Sequence, residues 1–232
     1  MKEDRVGRLT WLWGVILVLA GCASSPEVVI RSLPPTGDAR PSGPLHEVSL
    51  REAGVSGRGD RIFLTRVSLK NRAEKTLDFG PEDVYLADAD GRLLYRISEE
   101  WLPKYYNTRR YGQPGVADHK AIPAFPAAQV KLGDATYAAP PSTRAQRDKV
   151  ATDLAELVEE TFVRPQEDAP GTFMDKDPDV VFGTLLKPVS LGPGDGVSGY
   201  IYFYRAAAQG SVYPLRVVIK VESEVHTFLF RE

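Results

Sequence analysis

"RIFLTRVSLKN", residues 61–71, decides the fold class. Phe63, Thr65, Val67 and Leu69 fall on one face of an extended chain, and Arg66, Ser68 and Lys70 on the other. A period of two built from β-branched and aromatic residues predicts a strand with one face in a core. The same pattern returns at the far end. "GVSGYIYFYR" (196–205) sets Val197, Ile201 and Phe203 opposite Tyr200, Tyr202 and Tyr204. "YPLRVVIKVES" (213–223) puts Leu215, Val217, Ile219 and Val221 on one face, and "VHTFLFR" (225–231) closes the chain as another strand.

After Asn71, "AEKT" reads as a polar turn, and "LDFGPEDVYLADADGRLLYRI" (77–97) reads strand, turn, strand, hairpin, strand. Gly80-Pro81 interrupts the chain. Asp90-Gly91 predicts a two-residue hairpin between Val84-Tyr85-Leu86 and Leu93-Leu94-Tyr95, with Asp88 and Asp90 as turn residues. Short strands at regular spacing with turn punctuation predict a mainly β fold, an antiparallel β-sandwich over residues 46–232.

Residues 99–186 interrupt this pattern as an insertion that contains a helix. Thr143 and Gln146 fit a capping box. Val150, Leu154, Leu157, Val158 and Phe162 follow at helical spacing, and Pro165 ends the run. Leu154, Leu157 and Phe162 need an apolar partner, and the stripe of Tyr200, Tyr202 and Tyr204 offers one. The helix is expected to lie across that sheet face.

The amino terminus differs in character. Lys2, Arg5 and Arg8 precede an apolar run from Leu9 to Leu19, roughly 16 Å of helix and short of the roughly 20 residues of a membrane span. That is the layout of a secretory signal over residues 1–21. The single cysteine, Cys22, follows directly. A buried structural thiol is the bland alternative, but no folded core begins inside a signal. With one cysteine, no intramolecular disulfide can form. Residues 22–45 are rich in Pro, Gly and Ser and read as a flexible tether with a reach of roughly 25 Å. The formal net charge of −2 gives no reason to expect nucleic acid as a partner.

Leu19-Ala20-Gly21-Cys22 resembles the lipobox of bacterial lipoproteins. The resemblance implies cleavage before Cys22, lipidation of its thiol by chains such as palmitate, and a membrane anchor. Ala23 and Ser24 follow where Asp would favour the inner membrane, which implies the outer membrane, facing the periplasm. "VSLKNRAEKTLDFGPEDVYLADADGR" resembles an early strand pair in the immunoglobulin-like domains of bacterial envelope lipoproteins, and "LKPVSLGPGDGVSGYIYFYR" is similar to their later proline-glycine turn leading into an aromatic strand. That resemblance implies an immunoglobulin-like sandwich and an envelope location, and it implies no reaction.

Several segments invite chemistry. "LGPGDGVSG" (191–199) is glycine-rich but lacks the Lys and the following helix of a phosphate loop, so Gly194 and Gly196 read as turn residues. Ser198 has Gly196 two before it, but Tyr200 replaces the second glycine of a nucleophile elbow. "DKDPD" places Asp175, Asp177 and Asp179 at alternate positions, a weak candidate for a hard cation and otherwise a solvated acidic loop.

"WLPKYYNTRRYG" (101–112) is the most suggestive stretch. Trp101, Tyr105, Tyr106 and Tyr111 interleave with Lys104, Arg109 and Arg110. Three readings stand. The aromatics cover one end of the sandwich, or they form a protein interface, or they stack on an envelope glycan such as peptidoglycan. No cofactor is implied. The overall expectation is a non-catalytic, lipid-anchored envelope protein that binds or scaffolds other proteins, with glycan binding second and an enzyme third.

Overall fold

The computed structural model describes residues 31–33, 45–56, 61–163, 182–206 and 213–230, with backbone alone at 31–33 and 51–56. The signal segment 1–21, Cys22, and Asp175, Asp177 and Asp179 lie outside the described residues. The chain is mainly β and its strand pairs are antiparallel. In order it forms β1 (Arg31–Leu33), β2 (His46–Ser56), β3 (Ile62–Asn71), β4 (Leu77–Phe79), β5 (Val84–Ala87) and β6 (Tyr95–Arg96). Helix α1 (Trp101–Arg110), hairpin β7 (Gln129–Leu132) and β8 (Ala135–Ala138), and helix α2 (Arg144–Val158) make up the insertion. The chain finishes with β9 (Val189–Leu191), β10 (Gly196–Tyr204), β11 (Leu215–Val221) and β12 (Glu224–Phe230).

Two four-stranded sheets, β1-β12-β11-β5 and β2-β3-β10-β6, share one hydrophobic cluster. Phe63, Val67 and Leu69 of β3 and Ile201 and Phe203 of β10 meet Val217 and Ile219 of β11 and Phe228 of β12 there. These are the inward faces that the period of two predicts. The segment expected to be tether contributes β1, which pairs with Thr227 to Leu229 of β12. The tether therefore does not run unpaired to residue 45. At the end of β3, the fully buried Asn71 fixes the polar turn. Its side-chain amide donates to the carbonyls of Lys75 (2.8 Å) and Leu191 (3.0 Å), and its Oδ1 accepts from Ala73 N–H (3.0 Å).

The expected hairpin at Asp90-Gly91 forms but is short. Its turn forms, with Gly91 at φ 75° and the Asp88 carboxylate accepting from Asp90 N–H (3.0 Å) and Arg92 N–H (2.9 Å). The arms pair briefly, through Asp88 N–H to the Arg92 carbonyl (3.0 Å), the bridge Ala87↔Leu93 and Leu94 N–H to the Leu86 carbonyl (2.8 Å), while Leu93 N–H donates outside the hairpin to the Ala138 carbonyl at 2.8 Å. The chain then crosses to the other sheet, where Tyr95 and Arg96 pair with β10.

Both sheets are apolar on their outer faces too, and the insertion covers both. Over β2-β3-β10-β6, α1 and α2 bury Ile62, Leu64, Tyr200, Tyr202 and Tyr204. The helix begins at the predicted box, with Gln146 N–H donating to Thr143 Oγ1 (3.4 Å) and Thr143 N–H to Gln146 Oε1 (3.3 Å). Past Val158 it widens into a π-helical turn, Glu159–Val163, that keeps Phe162 against Tyr202 edge to face at 6.1 Å. Over the other sheet, Val130, Leu132 and Tyr137 of the β7–β8 hairpin cover Ala87, Val218 and Val225. The chain returns from the insertion alongside β10. Leu186 N–H donates to the Tyr200 carbonyl and Tyr200 N–H to the Thr184 carbonyl, each at 2.9 Å. Among the described residues, no helix is long and apolar enough to cross a membrane.

Candidate functional site

Residues 101–110 are helical, and this redistributes the aromatic segment. Trp101, Leu102, Tyr105 and Tyr106 lie one and four positions apart, so a helix gathers them on one face, and all four are buried. Pro103 sits in the first turn, where its missing N–H costs nothing. Trp101 stacks on Tyr105 with centroids 4.7 Å apart, and Tyr106 meets Phe182 edge to face at 5.1 Å. Trp101, Tyr105 and Tyr106, named as candidate interaction residues, are therefore corrected to packing: they cover the sandwich, over a sheet face rather than at its end.

The cations divide. Arg109 pairs with Glu159 and donates to the Gln113 carbonyl at 3.1 Å. Glu159 also accepts from Tyr105 Oη at 3.3 Å, and burial with that carboxylate pushes the Tyr105 phenol up. Arg110 lies over the Tyr106 ring at 5.9 Å. Lys104, Arg110 and Tyr111 are exposed.

Beyond α1 the chain folds back along the helix. Gln113 N–H donates to the Thr108 carbonyl (3.0 Å), and Trp101 Nε1–H donates to the Val116 carbonyl (2.8 Å). Gly115 lies so close to the Tyr105 ring that a Cβ there would meet it at 2.5 Å. This pinned backbone turns its apolar side chains outward. Tyr111 is 76% exposed and Val116 67%, two of the three large exposed hydrophobics among the described residues.

A second feature lies where the two sheets gape beside β5 and β6. Here a cleft of about 150 Å³ is lined by Glu82, Tyr85, Leu94, Arg96, Phe125 and Phe203. Pro123 and Pro126 stiffen its outer wall. Arg96 is half-buried, and its Nε is shielded from solvent with no hydrogen-bond partner. Burial pulls its pKa down, while Glu99, Glu82, Tyr85 and Asp83 act on it through space. Burial likewise holds the Asp83 carboxyl above its usual range.

The other sequence candidates are placed elsewhere. Gly194 occupies a turn at φ 85°, as read from "GPGDG". Ser198 sits in strand β10 and is engaged by Ser68 Oγ (2.8 Å) and Arg66 Nε (3.1 Å) rather than by a histidine. His119 contacts Asp148 and His226 contacts Glu224, each at 3.3 Å. Sequence reasoning missed Arg96 and the cleft around it. The available signal was an arginine between Tyr95 and Ile97 in an otherwise apolar strand, facing the Pro-Ala-Phe-Pro run at 123–126.

No family model matches the chain, and no curated protein matches it. A solved structure, the yjhA protein from Bacillus subtilis, aligns over 75% of this chain and 72% of its own at 8% identity, with a TM-score of 0.32. That likeness is too distant to carry an argument about fold family or function.

Proposed function

We propose that the chain is a non-catalytic lipoprotein of the bacterial cell envelope, anchored through Cys22 in the outer membrane and facing the periplasm. In this reading an immunoglobulin-like sandwich presents the strip at 110–116 to another envelope protein. One observation carries the partner half of the proposal: Tyr111 and Val116 stand exposed on a backbone hydrogen-bonded to α1. A prepaid backbone conformation lowers the entropic cost of docking, and an exposed aromatic beside arginine suits an interface centre. The lipobox resemblance at Leu19-Ala20-Gly21-Cys22 supports the anchor. Two or more acyl chains would hold it stably. The structure favours a protein over a glycan on this surface, because the ring faces of Trp101, Tyr105 and Tyr106 are packed inside.

The test is photocrosslinking in intact cells from position 111. A discrete protein adduct is expected, lost with Val116→Glu, while palmitate labels the protein and Cys22→Ser abolishes the label. Adducts that collapse on muramidase digestion would move the reading to peptidoglycan. Labelling that survives Cys22→Ser would remove the anchor.

A further inference from the structure

The cleft beside β5 and β6 is separate from the 110–116 strip and raises a different question. Arginine is tolerated in a half-buried position when its guanidinium is paired and hydrogen-bonded. Among the described residues the Arg96 side chain has neither kind of partner, and its Nε is orphaned. The shielded Nε fixes the group inward, and its two terminal nitrogens, which are not shielded, form an edge that can grip a carboxylate through two parallel hydrogen bonds. A bare anion, however, would enter against the charges of Glu82 and Glu99. A ligand with an ammonium group next to its carboxylate removes that conflict, because Glu82 also lines the cleft. The remaining walls are apolar, with Leu94 and Phe203 at the base and Phe125 held between prolines. A space of about 150 Å³ holds a six-carbon ring, so an amino acid of about six carbons in all, such as leucine, matches its size.

We propose that this cleft binds a small zwitterion with an apolar side chain, its carboxylate on Arg96, its ammonium on Glu82 and its body against Phe125. Such a ligand arises as a free amino acid or as a short peptide. Neither source depends on the lipid anchor or on a protein partner at 110–116, so this proposal stands or falls apart from that one.

Isothermal titration of the full-length protein tests it with four probes: L-leucine, glycyl-L-leucine, N-acetyl-L-leucine and L-leucinamide. At least one zwitterion is expected to bind, and which of the two binds more tightly identifies the source. The acetylated acid and the amide, each lacking one charge, are expected to bind at least about tenfold more weakly, the factor of one charge-assisted hydrogen bond. Arg96→Gln is expected to abolish binding with the melting temperature retained, since the Arg96 side chain makes no hydrogen bond among the described residues. Ala124→Phe, on the exposed side of the cleft wall, is expected to block binding by filling the space. Absence of heat with both zwitterions up to about 10 mM overturns the proposal. So does N-acetyl-L-leucine binding as tightly as L-leucine, or a folded Arg96→Gln protein that binds as wild type does.

Discussion

Gly199 offers a sharp test of how the insertion is fastened to the sheet. A Cβ built there lies 2.5 Å from both the N and the Cα of Leu186. Ordinary contact begins near 3.4 Å, so Gly199→Ala forces a separation of roughly 0.9 Å. The obstructing atoms are backbone and cannot rotate away. They are held by Leu186 N–H to Tyr200 O and Tyr200 N–H to Thr184 O, both 2.9 Å. Overpacking of this kind costs about 1–3 kcal/mol. Weakening two backbone hydrogen bonds adds about 0.5–1.5 kcal/mol each, for a loss of about 2–6 kcal/mol in all. For a domain of this size that lowers the melting temperature by about 4–24 °C. Thermal denaturation followed by circular dichroism measures it. Gly183→Ala serves as the control, since a Cβ there meets nothing within 4 Å. A Gly199→Ala protein melting within about 1 °C of wild type would refute the close approach of residues 184–186 to β10.

Two further outcomes follow from buried polar groups. Tyr202 is 2% exposed and its hydroxyl has no hydrogen-bond partner, so burial pushes the phenol up and the group adds desolvation cost without return. Tyr202→Phe is expected to stabilise the fold by about 1 kcal/mol in chemical denaturation, and a loss of stability would show that the hydroxyl is satisfied. His226 is held below its usual value chiefly by burial, with His46 acting in the same direction and Glu224 opposing. The unfolded chain therefore binds more protons than the folded one as pH falls below 6.5, and stability present above that pH is lost on acidification. His226→Gln is expected to flatten the decline in melting temperature between about pH 7 and pH 5, and an unchanged slope would assign it to other groups.

The strand grammar was legible because side-chain alternation is a local property. The faces read from 61–71, 196–205 and 213–223 are the faces that meet in the shared core. The docking of α2 on Tyr200, Tyr202 and Tyr204 was legible for a related reason, since two apolar stripes each required a cover. Helix α1 was not. Trp, Tyr, Asn and Thr are modest helix formers, and burial of four side chains on one face outweighs that propensity. The hairpin was legible in its turn but not in its shortness, because Leu93 N–H donates to the carbonyl of Ala138, 45 positions further on. The cleft was least accessible. Glu82, Arg96 and Phe125 sit on three separate segments, and only the crossing of the chain between sheets brings them to one opening.

The pairing of β3 with β10 also sets a timetable for assembly. Ile62 and Tyr204 are neighbours in the sheet yet lie 142 positions apart in the chain. The β2–β3 hairpin can form early, but its far edge has no strand to meet until nearly the whole insertion has been made. Until then it carries apolar side chains on both faces, Phe63 and Val67 on one and Ile62 and Leu64 on the other. An open edge with two greasy faces is a template for strands of other molecules. Closing so wide a loop first is entropically slow. The vulnerable period in the life of this protein is therefore its folding, and fragments that stop short of Tyr204 should aggregate rather than fold into a smaller version of the same domain.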